Sequence, residues 1–176
     1  MANTEDTRKR IRSAAQALVA EQGAANLTLE AVAKDAGVSK GGLLYHYANK
    51  QALLEGMLED LLLKRQTWFL SSQAKQGTGA QLQSLINTEF SLTVAERATA
   101  NAILAAGAEN PALLDPARDY YRTLFSYLRK DSSDPELGII VALALHGMQL
   151  LETIGLNQMT ISQKDTLQHR LVELVS

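Results

Sequence analysis

Four side chains within one short stretch, Lys40, Tyr45, His46 and Lys50, share a chemistry of cations, a phenol and an imidazole around a bare Gly41-Gly42 pair. Two glycines in the first turn of a helix cost roughly 1 kcal/mol each relative to alanine, so the segment is not built as packed core. Without side chains there, the backbone can approach phosphate oxygens and base edges closely. Lys50 follows Asn49, the expected N-cap of the next helix, and a cation beside a helix N-terminus suits a phosphate. The competing structural reading of the glycine pair is a frayed helix start. Catalytic chemistry finds little footing. His46, His146 and His169 lie far apart without metal-ligand spacing, and the sequence holds no cysteine, nucleophile elbow, phosphate loop or dinucleotide fingerprint. No enzyme, cofactor or metal site is therefore expected.

Positioning those side chains falls to the stretch from Thr28 to Lys50. Thr28 is a good N-cap, with Glu30 in the first turn where the helix dipole favours a carboxylate. Leu29, Val32, Ala33 and Ala36 fall on one helical face, and Gly37 supplies a left-handed stop. Ser39 caps the next helix after only Val38, which can plug the corner, so the two helices must cross sharply. That spacing predicts a helix-turn-helix whose second helix is sized for a DNA major groove, although a Gly corner also occurs in ordinary helical proteins.

The segment GVSKGGLLYHYANKQALL resembles the signature of the TetR family of transcriptional regulators, over about the first 55 residues. The resemblance implies an all-α fold of about nine helices, with a helix-turn-helix DNA-binding domain at 1–48 and a helical ligand-binding and dimerisation domain at 49–176. It places DNA contacts at Lys40, Gly41, Tyr45, His46 and Lys50, with Thr28 capping against a phosphate, and Ser39, Gly42 and Leu44 complete the candidate DNA face. Leu44 stands where the family often has an aromatic, and Gly42 where a hydrogen-bonding side chain is frequent, so base readout rests on few side chains. The implied function is a homodimeric repressor released from a double-stranded operator by a small molecule. Two alternatives stay open: a regulator controlled by a protein partner or acting as activator, and a helical adaptor module that binds no DNA.

The whole chain permits this reading. Its 176 residues are 46% hydrophobic, enough for one or two domains with a real core. The formal charge is −2, but residues 1–50 hold seven basic against five acidic residues, a basic head on an acidic body. Arg8, Arg10 and Arg12 on the first helix, expected from about Asp6 to Gln22, could reach a phosphate backbone or form a solvated face. Met1 to Arg12 has no apolar leader region, and with the absence of cysteine this predicts a cytoplasmic protein.

Beyond Asn49 the helical pattern runs to about Lys75 and resumes in five more segments. Capping signals are read at Thr78 with Gln81, at Thr93 with Glu96, and at Ser162. Trp68, Phe69, Phe90, Tyr120, Tyr121, Phe125 and Met148 are candidates to line an effector pocket between helices, and the scarcity of charge there points to an uncharged or cationic, ring-stacking ligand. Leu137 to Leu151 carries no formal charge but is shorter than the roughly 20 residues of a membrane span. It is apolar all round, so one face needs a partner. The dimer face is expected at Gly138, Ala142, His146, Gly147 and Leu150, joined by Leu167, Leu171 and Leu174 of the last helix.

Overall fold

The computed structural model describes residues 4–23, 26–73, 79–131 and 134–175. Among the described residues there are nine α-helices and no strand. The helices are α1 (Thr4–Gln22), α2 (Leu29–Asp35), α3 (Lys40–His46), α4 (Lys50–Gln73), α5 (Ala80–Phe90), α6 (Val94–Glu109), α7 (Asp115–Asp131), α8 (Pro135–Thr153) and α9 (Ile161–Leu174), with a 3-10 turn at Pro111–Leu114. None of them is long and apolar enough to cross a membrane.

The chain divides into two compact units. The first comprises residues 1–61 with 93–117, and the second 62–92 with 118–176. Helix α4 belongs to the first unit up to Leu61 and to the second from Leu62.

In the first unit the stripe Ile11, Ala15 and Val19 of α1 is buried with Val32 and Ala33 of α2, Leu43 of α3, Leu53 and Met57 of α4 and Ile103 of α6. Helix α1 packs on α6 as well as on α2. Gly37 has φ +65, the left-handed value that a Cβ disfavours, and it turns α2 into α3. Mid-helix Gly56 has a different reason to be glycine. A Cβ there would lie 2.9 Å from Tyr47 Cε1 and 3.3 Å from Arg12 Cδ. Helix α4 therefore lets Tyr47 come into contact with its own backbone.

That contact belongs to a node that the sequence did not announce. Arg12 is buried, donating to Tyr47 Oη at 2.9 Å, to Asp60 Oδ2 at 2.5 Å and to Glu5 Oε1 at 3.2 Å. Burial alone would loosen the guanidinium's hold on its proton, but the hydrogen bonds to Tyr47 and Asp60 outweigh it and raise its pKa. Arg8 lies 5.0 Å over the Tyr47 ring. So Arg12, read as a candidate phosphate contact, is instead spent inside the unit, tying α1 to the end of α3 and to α4.

In the second unit Leu82, Leu85 and Ile86 of α5 are buried with Tyr120, Leu124 and Leu128 of α7 and Val141, Ala142 and Leu145 of α8. Helix α5 packs on both α8 and α9. Asp134 caps α8 by accepting from the Leu137 N–H at 3.0 Å. The start of α9 differs from the expected Ser162: Thr160 is the N-cap, in a reciprocal capping box with Gln163. The box satisfies two backbone donors where a Ser162 cap would satisfy one. The expected box at Thr93 and Glu96 is present. Thr78 lies outside the described residues, and Gly79, at φ +81, occupies the N-cap of α5.

Candidate nucleic-acid interface

Each of the three helices that frame the expected DNA face begins with a side-chain cap. Thr28 Oγ1 accepts from the Ala31 N–H at 3.2 Å, Ser39 Oγ from Gly42 at 3.0 Å, and Asn49 Oδ1 from Ala52 at 2.8 Å. Each cap satisfies one orphan donor and leaves others of the first turn facing outward. Seven residues make a marginal helix by themselves, so α3 depends on its anchors. These are Leu43, fully buried, and Tyr47, 2% exposed.

The other side of α3 is turned to solvent. Tyr45 is 82% exposed, an unusual position for a tyrosine ring, and His46 packs edge-on to it at 5.1 Å. Leu44, Lys40, Gly41 and Lys50 are exposed as well. The two glycines separate on inspection. A Cβ on Gly41 would meet nothing within 4 Å, whereas one on Gly42 would press on the capping Ser39 hydroxyl at 3.2 Å. Gly42 thus guards the cap, and Gly41 leaves bare backbone at the surface. Thr28, Ser39, Lys40, Gly41, Leu44, Tyr45 and Lys50 are all exposed, with Gly42 and His46 half-buried at the edge.

One residue of this surface escaped the sequence reading. Glu30 of α2 pairs with Lys40 at 2.5 Å, and hydrogen bonding to Lys40 lowers the Glu30 pKa. Its position in the first turn of α2 accounts for a carboxylate by helix dipole alone, which hid the second role.

The expected pocket residues are distributed unevenly. The side chains of Trp68 and Phe69 lie outside the described residues. Tyr120, Tyr121 and Phe125 gather on α7, with Tyr121 5.0 Å from the His146 ring of α8 and 6.1 Å from Phe125. Phe90 and Met148 are half-buried. The cavity beside Tyr120 holds only about 10 Å³, between Arg65, Ser84, Leu85, Thr88 and Leu124, so a larger ligand requires these helices to part. A groove of about 650 Å³ lies elsewhere, in the first unit, between the start of α4 and the end of α6, and of the expected site residues only Lys50 lines it.

Against expectation, the centre of the second unit is charged. Glu89 is buried and accepts from Arg65 Nη2 at 3.3 Å. Gln149 braces the pair, its amide donating to the Glu89 carbonyl at 3.1 Å and its Oε1 lying 3.5 Å from Arg65 Nη2. Burial pulls the Arg65 pKa down, but the Glu89 charge together with Tyr120 and Tyr121 more than restores it. Burial raises both Tyr120 and Tyr121, and it lowers His146 against the opposing pull of Glu89. The signal was available: Glu89 falls on the stripe Leu82, Leu85, Ile86, where a surface carboxylate has no place.

The expected dimer face needs correction at two positions. Ala142 is fully buried, and a Cβ on Gly138 would stand 3.3 Å from the Leu128 carbonyl, so both small residues serve packing on the chain's own α7 side. His146 belongs to the Glu89 cluster, packed edge-on against Tyr121. Gly147 and Leu150 do face outward, as does Leu174, while Leu167 and Leu171 are half-buried. The outward stripe of α8 and its C-cap residue is Ile140, Leu143, Gly147, Leu150 and Ile154, its four large residues each more than half exposed. Their spacing alternates three and four, the heptad seam of paired helices.

Comparison with known proteins adds the relatives of this architecture. Residues 11–57 match the family model described as "Bacterial regulatory proteins, tetR family", and residues 79–176 match "Tetracyclin repressor-like, C-terminal domain". The HTH-type transcriptional regulator SrpR of Pseudomonas putida is 37% identical over 57 residues, which cover 32% of this chain and 27% of that protein. The matched stretch thus spans about a quarter of that curated relative. A transcriptional regulator from Rhodococcus sp. Rha1 superposes with a TM-score of 0.76 at 21% identity, covering 96% of this chain and 95% of that one. The multidrug binding protein EbrR, solved in complex with malachite green, gives a TM-score of 0.68 at 22% identity, over 96% and 98%. The two superpositions are likenesses of fold.

Proposed function

The chain belongs to the TetR family of bacterial regulatory proteins, and from that premise we propose that it is a homodimeric repressor, released from an inverted-repeat operator by a small molecule. A regulator that acts on the chromosome works in the cytoplasm. Residues 1–48 act as the DNA-binding part, and the remainder receives the effector and forms the dimer.

The observation that carries the reading is the split character of α3. Leu43 and Tyr47 anchor it while Tyr45 stands 82% exposed beside His46, Lys40 and the bare Gly41. A helix whose outer face is exposed, with only the Glu30–Lys40 ion pair described across it, suits a major groove. In this reading Thr28, Ser39, Tyr45 and Lys50 hold phosphates, and Lys40 and His46 reach base edges. Gly41 and Gly42 let the backbone approach, and Leu44 offers an apolar contact to a thymine methyl.

The dimer rests on the outward seam of α8. An apolar stripe of this size on one chain is rare unless another surface covers it, and a second copy with the same heptad spacing does so by two-fold symmetry. Release rests on α4, which begins at Lys50 and runs on to Arg65 inside the charged cluster. A ligand that favours one position of this helix shifts operator affinity through it, and 5–150-fold corresponds to a coupling of about 1–3 kcal/mol. EbrR, a multidrug binding protein of the same fold, supports a small-molecule effector.

The test is to capture genomic fragments with the purified protein, sequence them and titrate the recovered duplex. An inverted repeat bound by two chains is the expected outcome. If no genomic fragment is enriched over random DNA, the reading falls. Should enrichment occur while no small molecule alters binding, control by a protein partner takes the place of effector release.

A further inference from the structure

Two hydrogen-bond acceptors face each other inside the second unit. His146 Nδ1 lies 2.6 Å from the Ala142 carbonyl, and since a carbonyl only accepts, Nδ1 carries the proton. The neutral ring then presents Nε2 as a lone pair. Burial favours that neutral form. Nε2 stands 3.9 Å from Glu89 Oε1, the carboxylate oxygen that Arg65 does not take. Neither atom has a hydrogen-bond partner among the described residues, and neither can donate to the other. Of the nearby donors, Arg65 Nε is itself buried without a partner among the described residues, and the others are committed. Arg65 Nη2 is on Glu89 Oε2 and faces Gln149 Oε1, and the Gln149 amide is on the Glu89 backbone.

From this geometry we infer that Glu89 and His146 are the recognition point for the effector, and that the effector is a neutral planar molecule carrying an amino or amide N–H₂ group. The inference rests on the reading that this unit receives an effector. Two hydrogens on one nitrogen can answer two acceptors set this far apart, which a lone hydroxyl hydrogen cannot do as well. Charge selects against the other classes. Arg65 already neutralises Glu89, so an added cation meets the guanidinium and an added anion meets the carboxylate. Planarity follows from the walls, since Tyr121 stands edge-on to His146 and Phe125 lies beyond it. The cavity of about 10 Å³ beside Arg65 and Tyr120 is lined by neither Glu89 nor His146, so the effector reaches them only as these helices part.

The experiment compares aniline with toluene, which differ by an amino group against a methyl of similar size. Both are titrated into the intact protein and followed by ligand-observed NMR. Wild type should bind aniline about tenfold more tightly, the size of one good hydrogen bond to a charged acceptor. An apolar pocket without the acceptor pair would prefer toluene, and equal or reversed affinities, or no binding of either, overturn the inference. Glu89→Gln supplies its own N–H to His146 Nε2, so its preference for aniline should fall to about twofold or less while toluene binding is kept. A Glu89→Gln protein that retains the tenfold preference also overturns it. Operator affinity measured in the same samples separates the two readings. Donor preference without any change in operator binding upholds the recognition point and sinks release. Absence of donor preference in the wild type, with operator binding intact, sinks the recognition point alone.

Discussion

The polar groups of α3 and those of the Arg65–Glu89 cluster obey opposite rules. On α3 an aromatic ring and a bare backbone are held out in water by two buried anchors, at no evident benefit to the fold. In the cluster two full charges are held out of water, and each is tolerable only because the other is there. On the proposed reading, the first region is therefore replaceable for stability and exacting for binding. For the second region stability and binding cannot be separated. The difference teaches where substitutions report on function cleanly, and where they report on folding first.

The contrast is broken most directly at the cluster. Arg65→Met leaves a buried carboxylate without its cation and should cost about 3–5 kcal/mol of unfolding free energy in a urea titration. Lys40→Ala, on the exposed face, should stay within about 0.5 kcal/mol in the same assay. If the two losses are alike, the contrast is gone.

A smaller effect sharpens it at the anchor. Gly56→Ala forces a methyl against Tyr47 and Arg12, and overpacking of this kind costs about 1–3 kcal/mol. Because Tyr47 ends α3, operator affinity should fall by more than the stability loss alone produces at a temperature where the variant is still folded. Comparing melting curves with DNA titrations checks this.

On the exposed face the proposed reading places the effects on DNA binding alone. Lys40→Ala should reduce preference for the operator over random duplex by about 1–3 kcal/mol if it meets a guanine edge. Glu30→Gln frees Lys40 from its ion pair and removes a negative charge beside the DNA, so it should raise affinity for all duplexes. The salt slope should steepen by about one unit of log K per log salt. A weaker and less salt-sensitive Glu30→Gln would mean that Glu30 serves binding by holding Lys40 in place.

The smallest effect is on pH. Because burial lowers the His146 pKa, the unfolded chain binds the proton more readily than the folded one. Stability contributed by the neutral ring is full above about 6.5, the ordinary histidine value, and is lost as pH falls below it. His146→Gln should flatten that part of a stability–pH profile.

Much of this architecture was legible because it is local. Thr28, Gly37, Ser39 and Asn49 act through their own and the next few residues, so type and spacing sufficed. The misses depend on partners distant in sequence. Arg12 follows Ile11 on a helix whose other arginines are more exposed, and only Tyr47 and Asp60, 35 and 48 residues away, explain its burial. Glu89 sat visibly on an apolar stripe, but its partners on α4 and α8 did not. In Leu137 to Leu151 the apolar character was too uniform to tell faces apart, so small Gly138 and Ala142 drew the interface inward, when the heptad spacing of Ile140, Leu143, Gly147, Leu150 and Ile154 marks the outward seam. Ser162 lost to Thr160 because a reciprocal box two residues earlier satisfies more backbone.

The central claim, that α3 of a two-fold dimer reads an inverted repeat, is tested most directly by fluorescence anisotropy. The purified protein is titrated into the captured duplex and into random duplex across a range of salt concentrations. Two chains should bind each inverted repeat, with half-sites one duplex turn apart, roughly 34–36 Å, or somewhat more. Affinity should fall linearly in log K against log salt, with a slope of about −0.9 for each phosphate neutralised, and Lys50→Ala should flatten it by about one unit. A single chain per site, or no salt-dependent affinity for any duplex, would contradict the account.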